Sequence, residues 1–177
     1  MGLGDQEHRN TGPEAASELT HLDETGRPRM VSVGDKEVTE REAVAEGRLV
    51  MAASTLEALR SGRTPKGDPL LVAQVAGIQA AKRTSELIPL CHPLPLSGID
   101  LAVDIDEGLP GIRAQATVRV VGRTGVEMEA LTAVAVALLT AYDMLKALDR
   151  GMRVESIRLL RKEGGRSGRW VAAQQEG

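Results

Sequence analysis

Residues 87–96, LIPLCHPLPL, place the chain's only cysteine, Cys91, beside His92 in an apolar, proline-rich segment. Adjacent residues on an extended chain point to opposite faces, so the imidazole is poorly placed to activate its neighbour's sulfur. Zinc sites need three or four ligands at characteristic spacings, and the other two histidines, His8 and His21, are distant in sequence. The segment favours a rigid wall that presents amides and one imidazole to a ligand. A structural loop with a satisfied histidine remains the alternative.

Two further segments suit anions. Asp68 and Pro69 predict a helix N-terminus, and Lys66 lies just before it, where free amides, the helix dipole and an ammonium would attract phosphate. Residues 162–168, KEGGRSG, could also wrap a phosphate, although they lack the P-loop pattern. A solvated lysine and a frayed C-terminal segment are the respective alternatives.

The third chemical feature is a long apolar helix. The capping box Thr124-Gly-Val-Glu127 predicts that it opens there and runs to about Asp149. Helical spacing places one stripe in the core, formed by Leu131, Val134, Leu138, Tyr142, Leu145 and Leu148. The opposite face carries Glu129, Thr132, Val136, Thr140 and Asp143, with Lys146 one turn beyond Asp143. From spacing alone this face is predicted to be solvated, with an Asp–Lys pair worth about 0.2–0.5 kcal/mol.

The remaining patterns predict the elements that position these side chains. We expect strands at residues 29–36 and 48–52, separated by an acidic turn, and a helix from the capping box at residues 54–57 to Gly62. A helix from Asp68 to Pro89, a hairpin over residues 97–121 and a last strand at residues 153–162 follow. This order predicts an α+β fold, with a mainly antiparallel sheet and helices on one face.

Composition limits the class of protein. The 177 residues suit a single domain over residues 20–170, with a disordered tail at residues 1–19 and a short tail at 171–177. A net charge of -3 and almost no aromatic residues disfavour a nucleic-acid partner. The longest apolar run, residues 131–142, is too short to span a membrane. One cysteine and no signal-like start favour a cytoplasmic protein.

Three long motifs together resemble the cyclic pyranopterin monophosphate synthase family of molybdenum cofactor biosynthesis: IQAAKRTSELIPLCHPLPLS, GRTGVEMEALTAVAVALLTAYDMLKAL and RLLRKEGGRSG. The resemblance implies a ferredoxin-like catalytic domain assembled as a hexamer of three dimers. It implies a lyase that converts the purine triphosphate (8S)-3',8-cyclo-7,8-dihydroguanosine 5'-triphosphate to cyclic pyranopterin monophosphate and releases diphosphate. No cofactor is required, and Mg²⁺ accompanying the triphosphate is compatible with the sequence.

The resemblance also implies roles for individual residues. Asp143 matches the family's active-site aspartate, and Lys66 and Lys146 match its two catalytic lysines. The predicted substrate-binding residues are Leu90, Cys91, His92, Met128, Glu129, Glu127, Arg41 and Lys162. Two departures from the family pattern are Ser32, where an aspartate is common, and Arg166, where a lysine is common.

Two other functions remain as alternatives. A non-catalytic oligomer that binds a guanine nucleotide would need the cations but not Asp143. A metal-binding protein would use Cys91 and His92, which elemental analysis would reveal. Because Glu129 and Asp143 lie fourteen positions apart on one helix face, about 21 Å at 1.5 Å per residue, a shared pocket predicts a two-fold interface between subunits.

Overall fold

A computed structural model describes residues 25–106 and 108–173. The predicted tail at residues 1–19, both distant histidines and residues 174–177 lie outside the described residues. Ser32–Gly177 is one compact unit, and the described residues 25–31 of the preceding unit contain only an isolated bridge at Pro28. The domain boundaries at residues 19 and 170 stay predictions.

The described residues form one antiparallel sheet and four helices. The strands are β1 (Thr39–Val50), β2 (Gly98–Asp106), β3 (Gly111–Gly122), β4 (Arg153–Glu163) and β5 (Trp170–Val171). The helices are α1 (Ala53–Arg60), α2 (Pro69–Ala81), α3 (Thr84–Leu87) and α4 (Glu127–Leu145). Along the chain, the elements follow the β-α-β-β-α-β arrangement of ferredoxin-like folds, and the strand order in the sheet is β2-β3-β1-β4-β5, which confirms the predicted fold class. The segment expected to fray after β4 instead adds β5 to the sheet edge.

Strand β1 corrects the prediction for residues 29–52. Residues 29–36 form no strand, and the expected acidic turn is the body of β1. Ala45 and Leu49 are fully buried, and Gly47 lies against α4, which leaves no room there for a side chain. Glu42 and Glu46 alternate with these residues and pair with arginines of β3 and β4. Their charges suggested a turn because the compensating arginines are distant in sequence.

Helix α4 lies in the core, packed against the sheet and against α2, which also contacts the sheet at β2. In its predicted stripe Val134, Leu138 and Leu145 are buried, whereas Leu148 lies beyond the helix end and is 46 % exposed. Although α4 is long and apolar enough to cross a membrane by length and composition, it packs here as a core helix. The opposite face is not simply solvated, because Glu129 and Thr132 are buried.

The helix ends agree with the sequence patterns at the start of α2 and differ from them elsewhere, and at the start of α1 a distant side chain takes part. Asp68 caps α2 as predicted by accepting hydrogen bonds from two backbone amides. Helix α1 instead begins at Ala53, and the Ala52 amide donates to Asp149 Oδ2 at 2.9 Å. Helix α4 begins at Glu127 without a side-chain cap and ends at Leu145. The helix expected to reach Pro89 is broken into α2 and α3.

Close packing of α2 on α4 depends on Gly77. A Cβ at this position would lie 2.7 Å from the Ala133 carbonyl oxygen and 3.1 Å from Ala137 Cβ. Small residues at this crossing let two helix backbones approach closely, which suits a core without Phe.

We predict that Gly77→Ala lowers the free energy of unfolding by about 1–3 kcal/mol, because backbone atoms cannot move aside for the added methyl group. This loss is the net change, because the clash outweighs the roughly 0.5–1 kcal/mol that alanine gains over glycine inside a helix. Urea denaturation measures the free energy of unfolding of the variant and of the unaltered protein. Gly108→Ala is the control, because its Cβ would lie 3.4 Å from Asp106 Oδ1, an ordinary contact. Equal stability of the two variants would contradict close packing at Gly77.

Candidate functional site

Three predicted catalytic residues meet at the C-terminal end of α4. Lys66 Nζ lies 2.7 Å from Asp143 Oδ2, and Lys146 Nζ lies 2.7 Å from Asp143 Oδ1. Lys66 also donates to the Asp143 backbone carbonyl at 3.1 Å. We call these three residues the lysine–aspartate cluster. The fold brings Lys66 to this cluster from the loop before α2, although Lys66 and Asp143 are 77 positions apart.

The cluster fixes the charge of Asp143. Hydrogen bonds from Lys146 and then Lys66 lower the pKa of the Asp143 carboxyl to about 2. Asp143 is therefore ionised near neutral pH, and its geometry is that of an anion that orients two ammonium groups. All three side chains are about half exposed, so they are accessible to a ligand.

A second group lies at the N-terminal end of α4, around a cavity of about 190 Å³ that we call the Glu127 cavity. Lys162 Nζ lies 3.4 Å from Glu127 Oε1 and donates to Ser167 Oγ at 2.8 Å. Arg41 also lines the cavity. The structure therefore brings together three of the predicted substrate-binding residues, Arg41, Glu127 and Lys162.

Two arginines shape this cavity through backbone contacts. Arg41 Nε donates to the Gly122 carbonyl at 3.0 Å, and its NH2 group donates to the Arg123 carbonyl at 3.2 Å. Arg123 NH1 donates in turn to the carbonyls of Gly34 and Lys36. The arginines thereby connect β1, the end of β3 and residues 34–36.

The glycine-rich loop after β4 packs against Arg41. Gly165 has φ = 68°, and a Cβ there would collide with the Arg41 guanidinium. Both the left-handed backbone and the lack of space require glycine at this position. The contact holds Ser167, the partner of Lys162, at the cavity wall.

Glu129 and the loop 90–92 also belong to the group near the N-terminal end of α4. Leu90, Cys91 and His92 are half-buried, and Met128 is 37 % exposed. Burial, and then the charge of Glu127, raise the pKa of Glu129. Burial, with a smaller effect of Glu129, raises the pKa of Cys91. This arrangement suits a wall with a protonated thiol and does not suit a thiolate nucleophile.

The uninterrupted helix α4 separates Glu129 from Asp143 within one chain. Fourteen residues at 1.5 Å per residue place their backbones about 21 Å apart. The predicted site residues thus form two groups at opposite helix ends rather than one compact centre.

The metal-binding alternative finds no support in the described part of the chain. No group of three or more His, Cys, Asp or Glu side chains in residues 25–106 and 108–173 is placed to hold a metal ion. Cys91 and His92 thus lack the further protein ligands that a zinc site requires within these residues.

Comparison with known proteins assigns the family. A sequence model described as the MoaC family matches residues 30–165. This range includes the lysine–aspartate cluster and the predicted substrate-binding residues Arg41, Glu127 and Lys162 of the Glu127 cavity. The chain belongs to the MoaC family. The family assignment agrees with the resemblance expected from the three sequence motifs.

Several curated relatives are similar to this chain over most of their own length. A protein of Thermomicrobium roseum is 60% identical over 154 residues, covering 87% of this chain and 93% of the relative. One from Methylobacterium sp. (strain 4-46) is 62% identical over 87% and 96%, respectively. One from Chloroflexus aurantiacus (strain ATCC 29366 / DSM 635 / J-10-fl) is 59% identical over 89% and 96%. Each relative is named cyclic pyranopterin monophosphate synthase.

Sequence reasoning singled out neither Lys36 nor Arg123, two cations that line the Glu127 cavity. Arg123 and Ser167 lie inside motifs that carry the family resemblance, GRTG and GGRSG, but their spacing did not reveal their contacts. Lys36 lies in a segment expected to be a strand, and only its fold position reveals it.

We predict that Cys91→Ser retains most activity and that the purified protein contains no stoichiometric zinc. The thiol should react slowly with iodoacetamide near neutral pH, since its raised pKa keeps it protonated. The midpoint of the pH–rate profile for alkylation should lie above the roughly 8.5 of an ordinary cysteine. Elemental analysis that finds one zinc per chain, lost in Cys91→Ser, would contradict this interpretation.

Proposed function

We propose that the chain is a cyclic pyranopterin monophosphate synthase, a lyase of molybdenum cofactor biosynthesis. It would convert the cyclised dihydro-GTP to cyclic pyranopterin monophosphate and diphosphate. The observation that carries the proposal is the lysine–aspartate cluster, in which one ionised carboxylate holds two ammonium groups half exposed to solvent. The names of the 57–62% identical relatives support the same activity.

The cluster suits a reaction that moves protons and builds up negative charge. Forming a cyclic monophosphate with loss of diphosphate requires a substrate oxygen to bond to the α-phosphorus while the bond between the α-phosphorus and the diphosphate oxygen breaks. Negative charge then builds up on the diphosphate oxygen, and nearby cations stabilise it. A lysine that gives up a proton serves as an acid for the ring rearrangement. Asp143 orients both lysines, since its low pKa makes it a poor proton carrier near neutral pH.

A complete pocket would require two subunits. If the groups at both ends of α4 act on one substrate, the N-terminal part of one α4 must approach the C-terminal part of a partner's α4. Between Glu129 and Asp143 the shared face carries no charge: its side chains are Thr132, Val136, Leu139 and Thr140. Leu139 is 58 % exposed in the single chain. An uncharged face with an exposed leucine suits burial in such an interface.

The proposal includes a hexamer built from three such dimers, acting in the cytoplasm on a small molecule and not on nucleic acid. The net charge of -3 supports the last point. The proposed reaction needs no bound cofactor. Mg²⁺ bound to the triphosphate is compatible with the half-exposed ammonium groups of Lys66 and Lys146. The alternative, a nucleotide-binding oligomer without turnover, is not favoured because it gives no role to Asp143.

We predict that Lys66→Ala and Lys146→Ala each reduce diphosphate release from the cyclised dihydro-GTP by about 100-fold or more, the range of acid–base partners. Neither lysine packs in the core, so circular dichroism and oligomer size should not change. Arg83→Ala is the matched control, because it removes an exposed cation paired with Glu86 after the C-terminal end of α2, whereas Lys66 precedes the start of that helix.

Normal turnover in either lysine variant would remove that residue from the mechanism. Failure of the unaltered protein to release diphosphate from this substrate, while still binding it, would instead favour the nucleotide-binding alternative.

We predict that two inactive variants, Glu129→Ala and Asp143→Asn, regain activity when their subunits are mixed and reassembled. In a mixed dimer both changes fall in one pocket, so about a quarter of all pockets would be intact after random pairing. Differently tagged subunits followed by mass spectrometry show that exchange has occurred.

Lys66→Ala mixed with Asp143→Asn is the control, because both residues lie in the same cluster of one chain and no intact pocket forms. If exchange occurs and neither mixture regains activity, the two ends of α4 do not share a pocket.

A further inference from the structure

The segment between α4 and β4, residues 146–152, begins at a member of the lysine–aspartate cluster. We call this segment the α4–β4 turn. Lys146 is its first residue and the C-cap of α4. The Asp149 amide donates to the Leu145 carbonyl at 3.2 Å, and Tyr142 Oη donates to the Arg150 carbonyl at 3.0 Å. The turn is therefore folded back onto the last turn of the helix that carries the cluster.

The side chain of Asp149 joins the α4–β4 turn to a distant part of the chain. Its Oδ1 accepts a hydrogen bond from the Gly151 amide at 2.7 Å, within the turn. Its Oδ2 accepts one from the Ala52 amide at 2.9 Å, 97 positions away at the start of α1. Hydrogen bonds to a carboxylate are stronger than neutral ones, and here both oxygens are used. The half-buried Asp149 side chain is thereby fixed between two backbone segments.

Helix α1 depends on this contact because it has no cap of its own. Its N-cap residue is Ala52, which offers no side-chain acceptor, and its first turn contains no acidic residue. The Asp149 carboxylate supplies both an acceptor and a negative charge at this helix N-terminus. Leu56 and Leu59 anchor α1 in the core, but its contacts with the other helices and strands are otherwise sparse.

Helix α1 leads directly to the third member of the cluster. Residues 61–65 alone separate its end from Lys66, and this short segment is bonded back to the helix. The Arg63 amide donates to the Ala58 carbonyl at 2.9 Å, and Ser61 Oγ donates to the Glu57 carbonyl at 2.7 Å. A shift of α1 would therefore be transmitted to Lys66.

We infer that Asp149 is a positioning residue for the lysine–aspartate cluster. It connects the turn that begins at Lys146 with the helix that leads to Lys66, and so fixes the spacing of the two ammonium groups around Asp143. It acts through these backbone segments and not by touching the substrate. The inference rests on the proposed function and adds a residue to it. Spacing matters because a displacement of about 1 Å at reacting groups can cost about 100-fold in rate.

The first test is steady-state kinetics with the cyclised dihydro-GTP. We expect Asp149→Ala to lower kcat for diphosphate release by about 10- to 100-fold with little change in KM, because both ammonium groups remain but lose their spacing. The variant should also lower Tm by about 2–4 °C, the shift for losing one helix cap in a chain of this size. Unchanged kinetics, or a raised KM with an unchanged kcat, would overturn the inference.

Ala52→Ser separates positioning from stability. Serine at the N-cap of α1 supplies a local acceptor for the helix amides, but it does not reconnect α1 with the α4–β4 turn. We expect the double variant Ala52→Ser/Asp149→Ala to regain Tm and keep the low kcat, whereas Ala52→Ser alone turns over normally. If the double variant regains both, Asp149 only caps a helix and the inference is wrong.

Limited acetylation with acetic anhydride tests the geometry without substrate. An ammonium group must lose its proton to react, so Lys66 and Lys146 should be acetylated faster in Asp149→Ala, where their ion pairs loosen. Peptide mass spectrometry measures both relative to Lys82, which lies at the other end of α2. An unchanged ratio would refute the inference, including where Ala52→Ser fails to restore Tm. If the unaltered protein releases no diphosphate, the proposed function fails, and this ratio still shows whether Asp149 holds the cluster together.

Discussion

The rigidity of α4 is the constraint on which the site depends. The helix packs against the sheet and against α2, where Gly77 allows close contact with Ala133 and Ala137. A helix buried on this scale cannot bend to bring its ends together, because interiors this closely packed resist deformation. The residues at its two ends therefore keep a fixed separation, and the chemistry must accommodate it.

Charge is distributed in two ways across the sheet. On the open face, arginines and glutamates pair across strands, so that Glu46 is 5 % exposed yet satisfied by Arg113 and Arg158. Burial raises the pKa of Glu46, but the hydrogen bonds and charges of the arginines outweigh it, and the pKa is lowered overall. At the sheet end near the Glu127 cavity, arginines bind carbonyls instead. The same residue type thus serves stability in one place and leaves charge available in the other.

The sequence predicted what local patterns control and missed what distant partners control. The Asp68 cap, the hairpin and the buried stripe of α4 up to Leu145 follow from short-range spacing, and the structure contains them. The start of α1 depends on Asp149 and the body of β1 on arginines of other strands, so no local pattern revealed either.

The candidate site shows the same limit. Spacing along α4 placed Asp143 near Lys146, and the predicted helix N-terminus at Asp68 marked Lys66 as a candidate anion site. Only the resemblance to a family connected Lys66 with the other two residues. The sequence could not show which cations of the Glu127 cavity lack a compensating carboxylate, because that depends on whether each one binds a carbonyl or a carboxylate. The fold decides which acceptor each cation binds, because these acceptors are distant in sequence.

The half-exposed lysine–aspartate cluster adds a last argument for a shared pocket. Ion pairs open to water are screened, so two ammonium groups and a carboxylate at 46–53 % exposure would stabilise developing charge weakly. Covering the cluster with the N-terminal part of a partner's α4 would exclude water and strengthen each of these interactions. Dimerisation would then complete the pocket and also change the solvent in which its charges act, so a single chain would lack both conditions for catalysis.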